Sequence, residues 1–209
     1  MADRKILLIG TAAAVGVLVG GGLFLVQQRS ADPFVQCTNS AVAGGMDSFG
    51  TEFTLTRQDG QRVTSAEVFS KPSLLYFGYT FCPDVCPLDS ARNAEAEEIL
   101  KEAGKDVQTV FITVDPRRDT PDVLAEYTSL FSEDMIGLTG SPQEIAAVNQ
   151  GWRNYFKAHD EEDKEFYLVD HMTNTYLVMQ GGKTVEFFSR DTPAEDVAER
   201  TGCFVDAAA

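Results

Sequence analysis

Hydrophobic positions divide the chain into two unlike parts. Residues 6–26, ILLIGTAAAVGVLVGGGLFLV, run for 21 positions without a charge, long enough to cross a bilayer as a helix. Beyond residue 48 the apolar residues come in short runs of the kind that build a folded core. Phe53 and Leu55 alternate with Thr54 and Thr56, a strand pattern that ends in the turn pair Asp59-Gly60. SLLYFGY (73–79) and VQTVFITVD (107–115) read as buried strands, and between them a helical pattern runs from about 85 to 103 and stops at Gly104.

Later helices are marked by their starts. Thr120-Pro121, Ser141-Pro142 and Thr192-Pro193 each place a hydroxyl before a proline, which suits a cap followed by the first helical position. Glu144 and Glu195 stand three residues after Ser141 and Thr192 and complete two expected capping boxes. EFYLVD (165–170) and NTYLVMQ (174–180) are strand-like, and Gly181-Gly182 turns the chain into KTVEFFS (183–189), a hairpin. Strand–helix–strand units imply a parallel portion, and the late hairpin adds antiparallel strands. The expected α/β fold is a thioredoxin-like central mixed sheet with helices on both faces.

The apolar N-terminal run has Arg4 and Lys5 before it and Gln27, Gln28 and Arg29 after it. A signal peptide would carry a shorter apolar stretch and a small-residue cleavage site, so an uncleaved anchor is the expectation. The basic pair favours a cytoplasmic N-terminus. The expected organisation is a cytoplasmic 1–5, a transmembrane helix 6–26, a Gly/Ser/Ala-rich tether 27–48 and a folded domain 49–206. No Arg- and Ser-rich amphipathic leader precedes the run. That points to a bacterial inner membrane with the domain on the periplasmic side.

Charge narrows the partners. The 209 residues carry 17 Lys and Arg against 32 Asp and Glu, a net −15. Such a surface repels phosphate backbones and excludes nucleic acid as a natural partner.

Four cysteines fit an oxidising compartment. Cys37 and Cys203 lie near the ends of the folded part, and their placement suggests a clamp worth up to about 5 kcal/mol by loop closure. The alternative is that one of them resolves or feeds the other pair. Cys82 and Cys86 stand in FCPDVCP, where a buried strand gives way to a helix. Ligands gather at such strand ends in α/β sheets. Asp84 is placed to cap the helix, and Cys86 near the positive end of its dipole is expected to favour thiolate.

Two thiolates are soft donors and select Cu(I); imidazole also suits copper, and Cu(II) heads the divalent affinity order. Of two histidines, His171 sits at the bend Asp170-His171-Met172 between strand-like runs, whereas His159 lies in the charge run AHDEEDKE and reads as solvated. Alone, His171 reads more readily as a core or turn residue, Met172 as core filling, and the cysteine pair as either a structural disulfide or a reactive pair.

Three blocks alter that balance. GYTFCPDVCP (78–87), VDPRRDTPD (114–122) and YLVDHMTNTYLV (167–178) resemble, in order, the conserved blocks of the Sco/SenC family. The resemblance spans about 48–200. It implies that Cys82, Cys86 and His171 hold one copper ion, Cu(I) or Cu(II). The implied role is a metallochaperone that assists assembly of the CuA centre of cytochrome c oxidase subunit II. A copper-donating periplasmic chaperone and a thiol reductant are the further implied partners. Asp115 and Asp119 match acidic positions of the second block, where capping and loop structure also explain them. Cys37, Cys203 and Phe81 lie outside the family's motif and are assigned no chemistry by it.

Two other functions compete, and a purely structural or scaffold role, which would leave His171 irrelevant to metal affinity, is a third reading. A thiol–disulfide reductase would use Cys82 and Cys86 as a redox-active pair on the target's cysteines, although thioredoxins use C-x-x-C and a cis-proline. The chain has no proline between Pro142 and Pro193, and His171 stands in that stretch. A peroxiredoxin-like peroxidase would need a threonine three residues before the reactive cysteine, and Thr80 is two before Cys82.

Overall fold

The computed structural model describes residues 33–40 and 45–209. The expected transmembrane segment 6–26, and residues 27–32 and 41–44 of the expected tether, lie outside these residues. Among the described residues no helix is long and apolar enough to cross a membrane.

Among the described residues nine strands and five α-helices follow one another: β1 Thr54–Arg57, β2 Arg62–Thr64, α1 Ser65–Val68, β3 Ser73–Gly78, α2 Val85–Glu102, β4 Gln108–Thr113, α3 Pro121–Ser129, β5 Ile136–Thr139, α4 Pro142–Gly151, β6 Phe156–Ala158, β7 Val169–His171, β8 Thr175–Val178, β9 Thr184–Phe188 and α5 Ala194–Ala208. Seven strands form the main sheet in the order β2-β1-β5-β4-β3-β8-β9. The β5-β4-β3 centre is parallel, and the flanking pairs are antiparallel. This is the expected thioredoxin-like mixed sheet.

Strand pleating sends alternate residues of β3 into two cores. Leu74 and Tyr76 face α2: Leu74 packs with Ala96, Leu100 and Phe204, and the Tyr76 hydroxyl donates to Asp89. Leu75 and Phe77 face the other way, where Trp152 lies against Phe53, Phe69 and Phe77. Helices therefore cover both faces. Burial of β3 and β4 along their whole length accounts for their unbroken apolar runs.

The capping expectations divide. Thr120 accepts from the N–H of Val123, and Ser141 forms the full box with Glu144. The box expected at Thr192 does not form: Pro193 is itself the cap residue, one position too late for Thr192 to reach the first turn, and the Thr192 hydroxyl pairs with Ser189. A Thr64–Glu67 box that the apolar pattern did not reveal starts α1, whose single turn is too short to show a period.

The strand expected over 165–170 is shorter. Only Val169–His171 is extended, and it pairs with β6 in a separate two-stranded ribbon, with Phe156 opposite His171. Part of the stretch expected as tether is packed on the domain. Cys37 is bonded to Cys203 of α5. Phe34 packs on Phe204, and the N–H groups of Asn39 and Ser40 donate to the Glu186 carboxylate.

Candidate metal centre

The centre is assembled from two directions. β3 delivers the chain to the loop Tyr79–Asp84, and α2 begins at Val85. Pro87 falls in the first turn, where it forfeits no helical hydrogen bond. Asp84 holds the cap position without a side-chain cap bond. The expected carboxylate cap is replaced by sulfur, for the N–H of Cys86 donates to Cys82 Sγ at 3.3 Å.

His171 arrives at the end of the β6–β7 ribbon rather than at a bend. Its Nδ1 faces the carbonyl of Met172 at 2.9 Å. A carbonyl only accepts, so Nδ1 carries a proton and Nε2 is the nitrogen left for the cluster. Nε2 stands 3.2 Å from Cys86 Sγ. The rings of Tyr79 and Tyr76 meet the imidazole edge-on, at centroid distances of 5.8 and 6.1 Å. Cys82 Sγ, Cys86 Sγ and His171 Nε2 all lie within 4.8 Å of one another. Cys82 and Cys86 are free thiols, 8% and 0% exposed.

The two thiols are unequal, and in the opposite sense to the dipole expectation. Cys82 is held as thiolate, its pKa lowered to about 3, because it accepts first from the Cys86 thiol and then from the N–H groups of Asp84 and Cys86. Cys86 is pushed up because it is the donor to Cys82 and is fully buried. Partner geometry outweighs the helix dipole here: the first-turn N–H points at the sulfur four residues back, not at that of Cys86.

Outer contacts fix the frame. Asp119 is fully buried and accepts from Thr80 N–H (3.1 Å), Thr80 Oγ1 (2.6 Å) and Thr113 Oγ1 (2.5 Å), which ties the cysteine loop to β4. Burial raises its pKa to about 6, against the opposing hydrogen bonds from Thr113 and Thr80. Asp115 accepts from Tyr167 Oη (2.7 Å) and Arg118 Nε (2.5 Å). The Arg118 guanidinium lies over Tyr167 at 3.6 Å and Phe81 at 4.7 Å. Thus neither carboxylate joins the sulfur cluster. Met172, expected in the core, is 38% exposed. His159 is exposed and pairs with Asp170 at 2.8 Å. Sequence reasoning missed Tyr76 and Asp89, which lie beneath Cys86. Tyr76 was hidden inside an apolar run, and a polar residue at 89 looks like any helix surface position.

A thiol pair at the β3–α2 junction of a thioredoxin-like sheet, met by an imidazole from a separate ribbon, defines a thioredoxin-like protein with a Cys-x3-Cys/His centre. The chain belongs to the SCO1/SenC family, whose model matches residues 42–206. It is 45% identical to Protein SenC of Rhodobacter capsulatus over 210 residues, covering 98% of this chain and 92% of that protein. Among solved structures it resembles Arabidopsis thaliana ScoI with copper bound (TM-score 0.70, 39% identity, 77% of this chain and 98% of that one). It also resembles Bradyrhizobium japonicum ScoI with copper bound (TM-score 0.67, 39% identity, 74% and 98%).

Proposed function

We propose that this protein binds one copper ion through Cys82 Sγ, Cys86 Sγ and His171 Nε2 and assists assembly of the CuA centre of cytochrome c oxidase. The observation that carries the reading is the convergence of two sulfurs and one imidazole nitrogen within 4.8 Å. The donor set fits: two soft sulfurs suit Cu(I), and the imidazole extends the site to Cu(II). A closed structural zinc site would take four ligands, and among the described residues no fourth Cys, His, Asp or Glu joins the group. Three protein donors leave the ion open to an acceptor's ligands, as transfer requires. The copper-bound relatives support the choice of metal.

In this reading residues 6–26 anchor the domain to a bacterial inner membrane, with the site on the periplasmic side. Its partners are subunit II, a copper donor and a thiol reductant. A second activity, reduction of the target's cysteines, is favoured by the thiolate on Cys82, the form that attacks a disulfide. Nothing in the geometry favours a peroxidase.

Titration of the reduced protein with Cu(I) and Cu(II) tests the reading, beside His171→Ala and Cys82→Ser. Both variants should lose affinity, and unchanged binding in both would overturn the site. Reductase activity would be removed by a Cys82/Cys86 potential too oxidising to reduce an oxidised CuA peptide.

A further inference from the structure

Phe81 stands next to Cys82 and is 51% exposed, yet its ring is held in place. The Arg118 guanidinium lies 4.7 Å from the centre of that ring and 3.6 Å from the centre of the Tyr167 ring. Arg118 is itself fixed. Its Nε donates to Asp115 Oδ2 and its Nη1 to the Glu165 carbonyl, while Tyr167 Oη donates to Asp115 Oδ1. Apolar neighbours continue the surface. Leu88 is two residues after Cys86, Met172 follows His171, and the Tyr155 carbonyl accepts from the Met172 N–H. Phe166 and Leu168 flank Tyr167. Eight large apolar side chains are exposed among the described residues, and these six are gathered at the pole of the sulfurs. Scattered exposed apolar residues are ordinary, but a gathering of them marks an interaction surface.

Burial and charge restrict what covers this surface. Cys82 and Cys86 are almost wholly buried, so an acceptor's ligand reaches them only if its surroundings press against the side chains around them. Residues 160–165, DEEDKE, carry five acids against one lysine. They adjoin the support of Phe81, since Glu165 O holds Arg118 and Asp160 pairs with Arg117. Asp84 and Asp170 add acids beside the ligand residues, and Arg117, Lys157 and Lys164 leave the balance negative. Two copies of such a face repel each other, and anionic lipid headgroups are repelled in the same way. We propose that Phe81, backed by Arg118, anchors a docking surface for the copper-receiving protein, and that this protein meets it with an apolar recess inside a basic rim. This rests on the copper-delivery reading above and says how the acceptor is recognised. An aromatic anchor whose rotamer is already set loses little freedom on binding. Charge at the rim governs the rate of encounter and selects the partner.

The probe is the reduced, copper-free soluble domain of cytochrome c oxidase subunit II, labelled for fluorescence anisotropy. It is mixed with the full-length chain in detergent, reduced and loaded with one equivalent of Cu(I). Phe81→Ala should raise the apparent dissociation constant about thirtyfold, the level of an interface hot spot. Its own Cu(I) affinity should stay within about twofold of the wild type, a separation that a collapsed cysteine loop would not give. Phe81→Trp keeps a broad ring over Arg118 and should restore binding to within about threefold. Glu161→Lys/Glu162→Lys should slow association about tenfold at low salt, and the difference should fade at high salt. Wild-type binding by Phe81→Ala would overturn the anchor, and an unchanged association rate in the charge variant would overturn the basic rim. Sedimentation velocity of the chain alone tests the other occupant. A wild-type dimer that Phe81→Ala dissociates would place a second copy on this face and overturn the proposal. A wild type that binds Cu(I) but not the subunit II domain would overturn the delivery reading itself, and the surface with it.

Discussion

Thr80 and Asp119 are joined twice: both the backbone N–H and the hydroxyl of Thr80 donate to the Asp119 carboxylate, at 3.1 and 2.6 Å. Thr113 of β4 donates to the same group, so one buried anion fixes the loop that leads into Cys82. Asp119→Ala should cost about 2–3 kcal/mol by leaving buried donors without an acceptor. Urea denaturation of the variant and the wild type measures this.

The same carboxylate has a pH signature. Burial raises its folded pKa to about 6, above the ordinary aspartate value of 3.8. Protons therefore bind the folded state more tightly than the unfolded one. Stability from this group is fully present below about pH 4 and is lost as pH rises through about 6. Relative to Asp119→Asn, the wild type should gain about 2 kcal/mol between pH 7.5 and 4.5. Paired denaturation curves at the two pH values check the sign, and a wild type that loses ground on acidification would contradict it.

Gly78 has no room for a side chain. A Cβ there would stand 2.8 Å from Tyr76 Cε1 and 2.9 Å from Phe111 Cε2, two buried rings on neighbouring strands. Gly78→Ala should destabilise by about 1–3 kcal/mol through overpacking. Because Tyr76 is one of the displaced rings and lies edge-on to His171, near-UV circular dichroism should change with it.

The Cys37–Cys203 bridge closes a sequence separation of 166 residues. The double variant Cys37→Ser/Cys203→Ser should lose about 2–5 kcal/mol of stability. Its copper affinity should stay within about twofold of the wild type, since sites well separated in a structure behave nearly independently. A large fall in affinity would mean that the two cysteine pairs are coupled.

Copper needs deprotonated, reduced sulfurs, and a Cys82–Cys86 disulfide removes both. Protein oxidised at that pair should not load copper until a reductant acts. Equilibrium dialysis of fully oxidised protein tests this, and quantitative loading would contradict it.

Much of this architecture was legible in the sequence, and the failures have physical causes. β3 and β4 were readable because burial on both faces leaves unbroken apolar runs, and α2 because a helical pattern ends at Gly104, whose φ of +76° suits glycine. Ser141 and Thr120 announced their helices because each side chain is alone in reach of the first-turn N–H groups. Thr192 misled because Pro193 took the cap position. The β6–β7 ribbon was hidden because Phe156–Ala158 is too short for a period and pairs outside the main sheet. Cys82, Cys86 and His171 were named together only through the resemblance of their three blocks to the Sco/SenC family. Which sulfur carries the charge was not, because that depends on where one N–H points. Tyr76 and Asp89 became visible only when a strand and a helix 13 positions apart in sequence met.

Helix α2 has a different neighbour at each end. Cys86 lies in its first turn. Near its last turn Leu100 packs against Gly202, next to Cys203, and beyond it Lys105 forms an ion pair with Asp206. By helix rise, Cys86 and Leu100 are roughly 20 Å apart. The segment by which the chain enters the domain is riveted at the far end, through Cys37 and Cys203. The helix is thus a spacer of fixed length: the Cys37–Cys203 fastening and the two sulfurs sit at opposite poles of the domain, about a helix length apart.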